Sequence, residues 1–372
     1  MDYFKQNKIV VFLCILVIIG GYFTFAYFRK PNPNPLTPNP SADSTGSPQA
    51  NSGQATTTPT QTPATPTTTP ETAPVKVVLP PLPVGTDQFV VSLTSTPDGI
   101  STNLSDGGYI TDATAFTNLI GTKVITPGAY KISTGWTPSQ LLQVLSAKPY
   151  MKWVVVPPGL RKEEIAALIG PAIGWTKKQT TEFITKDTTT KPEYIEGVYA
   201  PETYLIPVGE TPVAVAARLI AKFNEGFAPY LPQFTAKNIK WTSALTLASI
   251  VQREAANTAD TPLIAGILWN RLNQNMPLGV DATVQYIRGN TGNGWWAPIT
   301  VADKKIDSPY NTYEHTGLPP HPIANPSVSA ISAVLNPTVT DCLYYLHDKN
   351  RVTHCSATYA EHLANIAKYL VN

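Results

Sequence analysis

Charged side chains are scarce in this sequence of 372 residues, since they make up 14% of it and leave a net charge of +2. Ordinary soluble domains carry roughly 25% charged residues. No basic stripe with interleaved aromatic residues occurs, so we expect no nucleic-acid partner. The partner therefore has to be inferred from motifs.

Motifs for metal or cofactor chemistry are lacking as well. The five histidines do not show the His-x3-His or Cys/His spacing of a zinc site. Neither a Gly-x-Ser-x-Gly elbow nor a phosphate-binding loop occurs. His354 and Cys355 are neighbours on an expected strand and point to opposite faces, which argues against a thiol–imidazole pair. We therefore expect no metal and no cofactor.

Cysteine is limited to three residues, and Cys14 lies inside an apolar run. The segment between Cys342 and Cys355 reads as two strands around a turn centred between Asp348 and Lys349. In that register the two cysteines face each other across the hairpin, close enough for a disulfide. Two unpaired thiols in apolar positions are the alternative. A disulfide fits an oxidising exterior.

One long apolar run is present, the 20 uncharged residues from Ile9 to Phe28. A helix of that length spans about 30 Å, the hydrocarbon thickness of a bilayer. We expect residues 1–30 to form an uncleaved single-pass anchor in the cell membrane, with a cytoplasmic N-terminus and an extracytoplasmic remainder. A cleaved signal peptide is the alternative, but the run is long for a signal core and no small-x-small site follows it.

Residues 31–75 are rich in proline and threonine and show no hydrophobic periodicity. Such sequence favours extended, solvated backbone, so we expect a disordered stalk. Residues 76–150 read as a small strand–helix–strand–helix module, 151–205 as a connecting α/β region, and 206–372 as a mainly helical domain with a C-terminal β-hairpin. The predicted fold class is α+β.

A carboxylate stands in line with the apolar stripe of one predicted helix. Long amphipathic helices are expected at residues 212–227, 243–256 and 262–273. In the second of them Leu247, Ile250, Val251 and Glu254 share one face. Burial there would raise the pKa of Glu254 towards neutrality, as a general acid for a glycosidic oxygen requires. The alternative is a helix-end glutamate that turns out to solvent.

Residues 247–255, Leu-Ala-Ser-Ile-Val-Gln-Arg-Glu-Ala, resemble the signature of the MltG/YceG-like endolytic murein transglycosylases. Further elements of that family match in chain order, and together they extend the resemblance from roughly residue 85 to 372. The matching elements are residues 196–204, 267–272, 276–278, 281–284, 308–313, 317–320, 322–326, 343–345, 354 and 361–362.

The resemblance implies a small LysM-like module at residues 76–150, a catalytic domain at 206–372, and Glu254 as the catalytic residue. The implied reaction is lytic: Glu254 protonates the oxygen between N-acetylmuramic acid and N-acetylglucosamine, then takes a proton from the muramyl C6 hydroxyl as a 1,6-anhydro ring closes. Hydrolytic glycosidases generally need two carboxylates instead. The family often has a second acid where this chain has Gln252, which favours Glu254 as the essential group.

Two departures from the family pattern, Ala282 for proline and His321 for glycine, are expected in loops. Asp281 is the acid that falls inside a matched element, either as a second carboxylate or as a loop cap. Other matched residues offer amide, hydroxyl or aromatic groups to sugar, although each could instead staple a loop internally. These expected substrate-binding residues are Asn270, Asp281, Thr283, Tyr310, Asn311, Thr312 and Tyr313.

The expected partner is the peptidoglycan glycan strand, and the resemblance also implies association with the machinery that synthesises it. Two other functions stay open. The chain could be a hydrolytic muramidase that uses Glu254 with Asp281, or a non-catalytic protein that binds the wall.

Overall fold

The computed structural model of the protein describes residues 85–370. The predicted anchor at residues 1–30 and stalk at 31–75 lie outside that range, as do Cys14 and the first residues of the predicted module. Within residues 85–370, the structure contains no helix with the length and hydropathy of a membrane span.

The elements of residues 85–370 are short strands and helices of six to sixteen residues. The strands are β1 (Asp87–Val91), β2 (Gly128–Ile132), β3 (Met151–Val156), β4 (Glu202–Pro207), β5 (Tyr344–His347) and β6 (Thr353–Ser356). The α-helices are α1 (Pro97–Asp106), α2 (Ala113–Ile120), α3 (Pro138–Leu145), α4 (Lys162–Ile173), α5 (Lys177–Glu182), α6 (Pro212–Phe227), α7 (Leu231–Ala236), α8 (Trp241–Glu254), α9 (Thr261–Asn273), α10 (Asp281–Arg288), α11 (Val328–Leu335) and α12 (Tyr359–Tyr369).

The first four strands form one antiparallel sheet in the order β1-β2-β3-β4. The outer pairs are long, with Phe89 opposite Tyr130 and Val154 opposite Tyr204. The central pair meets through Ala129 and Met151. The buried apolar side chains accordingly form two clusters, one from Phe89 to Leu145 and another from Val154 to Leu335. A mixed architecture of helices around an antiparallel sheet is α+β, as predicted.

The N-terminal cluster contains one more helix than the predicted strand–helix–strand–helix order. Helix α1 begins after Thr96, whose hydroxyl accepts from the Gly99 amide at 3.1 Å, and has Pro97 at its first position. Its sequence is otherwise rich in Ser, Thr, Asn and Asp, residues that usually mark loops. Burial of Ile100 and Leu104 against the sheet module overrides that weak local preference.

Helix α10 also replaces a predicted loop. Asp281 is the first residue of this helix, where its charge lies at the favourable end of the helix dipole. Ala282 and Val284 are both buried, and Ala282 belongs to the larger cluster. Ala282 therefore does not lie in a loop either; it occupies the first turn of a helix, where proline is also tolerated.

The C-terminal hairpin has a different register from the predicted one. Cys355 lies opposite Tyr345, whereas Cys342 precedes β5. The two sulfur atoms are nevertheless joined at 2.09 Å, with the Cα atoms 5.8 Å apart. The disulfide therefore links β6 to the chain just before β5, and not two directly opposite residues.

The register follows from the hairpin loop, which is longer than a two-residue turn. Asp348 accepts from the amides of Asn350 at 2.8 Å and Val352 at 2.9 Å through its side chain. Arg351 has a φ of 63°, in the left-handed region. Together these contacts set a five-residue loop at residues 348–352 and shift the strand pairing.

A buried carboxylate ties three loops of the larger cluster together. Glu196 is fully buried, and it accepts from the Asn325 side-chain amide at 2.6 Å and from the Lys162 backbone amide at 3.2 Å. Asn325 in turn accepts from the Tyr199 amide at 2.8 Å and donates to the Leu160 carbonyl at 2.9 Å. Burial, followed by the nearby Glu163 charge, raises the pKa of Glu196 to about 7.

We expect a Cys342→Ser/Cys355→Ser double variant to lose about 3 kcal/mol in its free energy of unfolding. The reason is that the bridge closes a chain segment of sequence separation 13 and so restricts the unfolded state. Urea unfolding of the wild type, the double variant and a Cys14→Ser control measures the effect. A double variant as stable as the control would contradict the expectation.

Glu196 should make stability depend on pH. Its folded pKa of about 7 lies above its ordinary value of 4.5, so its contribution is full below pH 4.5 and is lost as the pH rises through 7. Relative to Glu196→Gln, the wild-type free energy of unfolding should fall by about 3 kcal/mol between pH 4.5 and 7.5. Glu193→Gln, at an exposed position, is the control. Parallel profiles for wild type and Glu196→Gln would refute the assignment.

Candidate active site

Glu254 is the last residue of α8, where the helix leaves the core. Leu247, Ile250 and Val251 on the same face are fully buried, and Ala255 ends the helix in an extended conformation. Glu254 itself is half-buried. The shared face predicted from the sequence is therefore present, and it places the carboxyl at the border between the core and a cleft.

The hydroxyl of Tyr345 on β5 donates to Oε2 of the Glu254 carboxyl at 2.6 Å. Burial raises the pKa of Glu254, and the negative charge of Asp281 adds to that rise. The Tyr345 hydrogen bond and the charges of Arg253 and Arg271 act in the opposite direction, but burial prevails. The result is a carboxyl that holds its proton to higher pH than an ordinary glutamate.

Glu254 opens onto a cleft of about 520 Å³. Three sides are formed by α10 with Asp281 and Gln285, by Trp296 from the loop that follows, and by the hairpin. The lining combines charged and hydrogen-bonding groups with aromatic faces. Such a combination suits a sugar, since polar atoms bond hydroxyls while rings cover the apolar face of a pyranose.

Asp281 lies in the same cleft but in a different environment. Its side chain is 53% exposed, with the Lys304 ammonium 3.9 Å away. The hydroxyl of Tyr313 donates to its Oδ1. The structure thus brings Glu254, Asp281 and Tyr313 into one neighbourhood, with one carboxyl shielded from water and the other largely open to it.

Four other expected sugar-binding residues have internal partners. Asn270 donates to the carbonyls of Thr340 at 2.7 Å and Cys342 at 3.1 Å. Asn311 donates to the Lys304 carbonyl at 2.9 Å and is fully buried. These contacts match the alternative that each residue staples a loop.

The two threonines of the set lie next to each other. Thr283 and Thr312 are buried, and their hydroxyls are hydrogen-bonded at 2.9 Å. Thr312 also accepts from the Val280 amide at 2.9 Å and so holds the start of α10. Tyr310 is half-buried against Tyr286, with ring centroids 5.1 Å apart. A direct contact of any of these residues with sugar stays a prediction.

Most residues that line the cleft were not identified as site residues from the sequence, and Tyr345, Arg253 and Trp296 are among them. Tyr345 was matched to the family hairpin without a role, although it and His347 alternate on one face of the predicted strand. Arg253 lines the cleft as well, and its guanidinium lies 3.8 Å from the centre of the Trp296 ring. The Trp296 indole donates to Glu164 at 2.9 Å, which fixes the ring in the wall.

Two imidazoles complete the hairpin side of the cleft. Nε2 of His347 and Nδ1 of His362 are buried and have no hydrogen-bond partner among residues 85–370. Burial lowers the pKa of both rings, so they are neutral at neutral pH. Within the described residues, no group of three His, Cys, Asp or Glu side chains is arranged to hold a metal ion.

Chemically, the arrangement offers one carboxyl with a raised pKa beside a hydrogen-bond donor. Glu254 can give a proton to an oxygen in the cleft, and the Tyr345 hydroxyl can stabilise the carboxylate that remains. Asp281 supplies a second carboxylate in reach of water. Both lytic and hydrolytic cleavage of a glycosidic bond are therefore compatible with the groups present.

Comparison with known proteins identifies relatives of this chain. The model of the YceG-like family matches residues 89–368. Over 280 residues the chain is 30% identical to the endolytic murein transglycosylase of Streptococcus pneumoniae D39, in an alignment that covers 65% of this chain and 50% of that protein. The endolytic murein transglycosylase of Bacillus subtilis 168 is 31% identical over 265 residues, which cover 65% of this chain and 72% of the relative.

The chain thus spans about half the length of the pneumococcal relative that it matches. A crystal structure of a YceG-like protein from Listeria monocytogenes aligns with a TM-score of 0.54 and 27% identity, covering 75% of this chain and 98% of that one. The sequence resemblance is thereby confirmed: with a family match from residue 89 to 368, this chain belongs to the YceG-like family.

Proposed function

We propose that the protein is an endolytic peptidoglycan transglycosylase that cleaves the bond between N-acetylmuramic acid and N-acetylglucosamine. The observation that carries the proposal is the Glu254 carboxyl, whose pKa is raised by burial and which accepts from Tyr345 in a polar, ring-lined cleft. Two relatives that bear the name endolytic murein transglycosylase support the same activity.

In the first step, the Glu254 proton passes to the glycosidic oxygen as the C1–O bond of the muramyl residue breaks. The departing N-acetylglucosamine keeps that proton on its 4-hydroxyl. Positive charge develops on the muramyl ring and is opposed by the Glu254 carboxylate. The Tyr345 hydroxyl, already hydrogen-bonded to Glu254, stabilises this carboxylate without moving.

In the second step, the muramyl C6 hydroxyl attacks C1 and gives its proton to Glu254. The new C6–O–C1 bond closes the 1,6-anhydro ring, and Glu254 returns to its protonated state. No water is consumed and no second carboxyl is needed. A single shielded carboxyl therefore suffices for this reaction, whereas hydrolysis generally uses a pair.

The proposal also includes how the enzyme is attached to the membrane and how it binds glycan. The apolar run from Ile9 to Phe28 anchors the chain in the cell membrane, and the Pro/Thr-rich residues 31–75 hold the folded part on the outer side. The cluster from Phe89 to Leu145 serves as a LysM-like module that binds glycan. Association with the synthetic machinery follows from the family resemblance alone.

A hydrolytic muramidase is the second candidate, and Asp281 is the observation that favours it. This carboxylate lies in the cleft of Glu254, is exposed to water, and acts on the pKa of Glu254 through its charge. It could activate a water molecule in the second step. The products then carry reducing ends and not anhydro ends.

The Glu254→Gln variant should keep its affinity for glycan strands and lose at least about three orders of magnitude in cleavage, because the amide has no acidic proton to transfer. Mass spectrometry of the digest measures both rate and product. Glu314→Gln, at an exposed position outside the cleft, is the matched control and should cleave normally.

The same digest separates the candidates. Anhydro ends from the wild type support the lytic enzyme, reducing ends the muramidase, and binding without cleavage a wall-binding protein. Cleavage by Glu254→Gln at the wild-type rate would remove Glu254 from the reaction altogether.

Tyr345→Phe should lower the cleavage rate by about tenfold, since the carboxylate formed in the first step loses a hydrogen bond. Only protonated Glu254 starts the reaction, so kcat/KM falls as the pH rises through its pKa. The Tyr345 hydrogen bond lowers that pKa, so its removal should move the alkaline limb to higher pH. A pH profile of kcat/KM measures the shift.

Tyr344→Phe removes the same hydroxyl from the neighbouring residue and is the control. An unchanged limb in Tyr345→Phe, or an equal shift in both variants, would speak against the role given to Tyr345.

A further inference from the structure

A second cleft of about 360 Å³ lies beside the catalytic one, and the two share Arg253 as a wall. Its lining comes from the end of α8 with Gln252, from the start of α11 with Ser327 and Ser329, and from Arg351 in the hairpin loop. The proposed reaction makes no use of this cleft. Its position next to Glu254 means that a group attached to the bound sugar can enter it.

The chemistry of the second cleft differs from that of the first. The catalytic cleft is lined by aromatic and imidazole rings, by the carboxyls of Glu254 and Asp281, and by Arg253 and Arg271, so its positive charges are balanced by acids. Among the described residues that line the second cleft, there is no aromatic ring and neither Asp nor Glu, but there are two arginines. Such a site favours an anion over a pyranose, which would seek a ring to stack on.

Both guanidinium groups are held in place by backbone carbonyls. Arg351 donates to the carbonyl of Ala256, and Arg253 donates to that of Gly159 at 3.3 Å. Each guanidinium has five N–H groups, so these contacts leave donors for a ligand. Nε of Arg253 is buried and has no hydrogen-bond partner within residues 85–370.

The amide of Gln252 adds a further donor. Its Oε1 accepts from the Ser327 amide at 3.0 Å and from the Ser327 hydroxyl at 2.7 Å. With the oxygen committed in this way, the amide nitrogen is the group left to donate. The second cleft thus combines fixed N–H donors with a net positive charge, the pattern that recognises a carboxylate.

The occupant follows from the proposed function, on which this inference rests. The bond to be cut belongs to a muramic acid residue, and muramic acid carries a peptide on its lactyl group. That peptide branches from the sugar next to Glu254 and bears free carboxylates. We propose that the second cleft binds a carboxylate of this stem peptide, so that the enzyme selects peptide-bearing strands.

The test compares two substrates, uncross-linked glycan strands with their peptides and the same strands stripped of peptides by an amidase. Wild-type kcat/KM should be at least about tenfold higher on peptide-bearing strands, the effect of one charge-assisted hydrogen bond. Equal values on both substrates would overturn the proposal.

Ser329 offers a matched pair of variants. It lies in the first turn of α11, where an acidic side chain is favoured by the helix dipole, so Ser329→Glu should fold. Its negative charge should repel the peptide and lower kcat/KM on peptide-bearing strands by about tenfold, with stripped strands unchanged. Ser329→Gln introduces a side chain of the same size as glutamate but without its charge, and it should resemble the wild type on both substrates.

Arg351→Asn checks the same cleft from the hairpin side, because asparagine tolerates the positive φ at this position. It should reduce the preference for peptide-bearing strands towards unity. A loss of rate that is equal on both substrates, in this variant or in Ser329→Glu, would count against the proposal.

Binding measurements separate this inference from the proposed function. Glu254→Gln protein should bind peptide-bearing strands about tenfold more tightly than stripped strands, whatever the products of the wild type are. Equal affinities would overturn the peptide site while leaving cleavage intact. Wild type that cuts neither strand, combined with preferential binding, would instead overturn the proposed reaction.

Discussion

The hydrogen bond between the Tyr345 hydroxyl and the Glu254 carboxyl joins two parts of the chain that are 91 residues apart. One partner ends a helix whose apolar face is fully buried, and the other lies on a hairpin strand at the surface of the same cluster. The bond depends on both elements being fixed to within a fraction of an ångström. Much of the remaining structure can be understood as the means of fixing them.

On the hairpin side, the residues just before β5 are held by side chains of α9. Asn270 donates to the carbonyls of Thr340 and Cys342, and Arg271 donates to that of Leu343 at 2.6 Å. On the helix side, Ser249 donates to the Thr246 carbonyl and accepts from the Ile323 amide at 3.0 Å. Amide and hydroxyl groups in the family motifs therefore organise backbone that has no regular structure of its own.

The sequence was sufficient where a local pattern decides the structure. Helix α6 has the predicted bounds, 212–227, because its apolar residues repeat at helical spacing and Pro212 begins it. The position of Glu254 on the buried face of α8 was predicted for the same reason, since its place relative to Leu247 and Val251 is a property of one helix. The α+β class followed from the same alternation of strands and helices.

Local sequence patterns could not predict the contacts between segments that lie far apart in the chain. The partner of Glu254 could not be derived, because the alternation of Tyr345 and His347 on a strand does not say which face meets α8. The predicted hairpin register was wrong because the hydrogen bonds that Asp348 accepts from Asn350 and Val352 set the loop length. Asn270 and Asn311 belong to matched family elements, and their side chains donate to backbone carbonyls within the protein. Residue type alone does not distinguish such internal hydrogen bonds from hydrogen bonds to sugar.

The bridge between Cys342 and Cys355 spans the strand that carries Tyr345, since one cysteine precedes that strand and the other lies opposite the tyrosine. A covalent bond of this kind forms only where an oxidant is available. A chain that has just been synthesised among reducing thiols would hold Tyr345 on a hairpin closed by hydrogen bonds alone. Oxidation of the two cysteines would then be the step that completes the support of the strand on which Tyr345 meets Glu254.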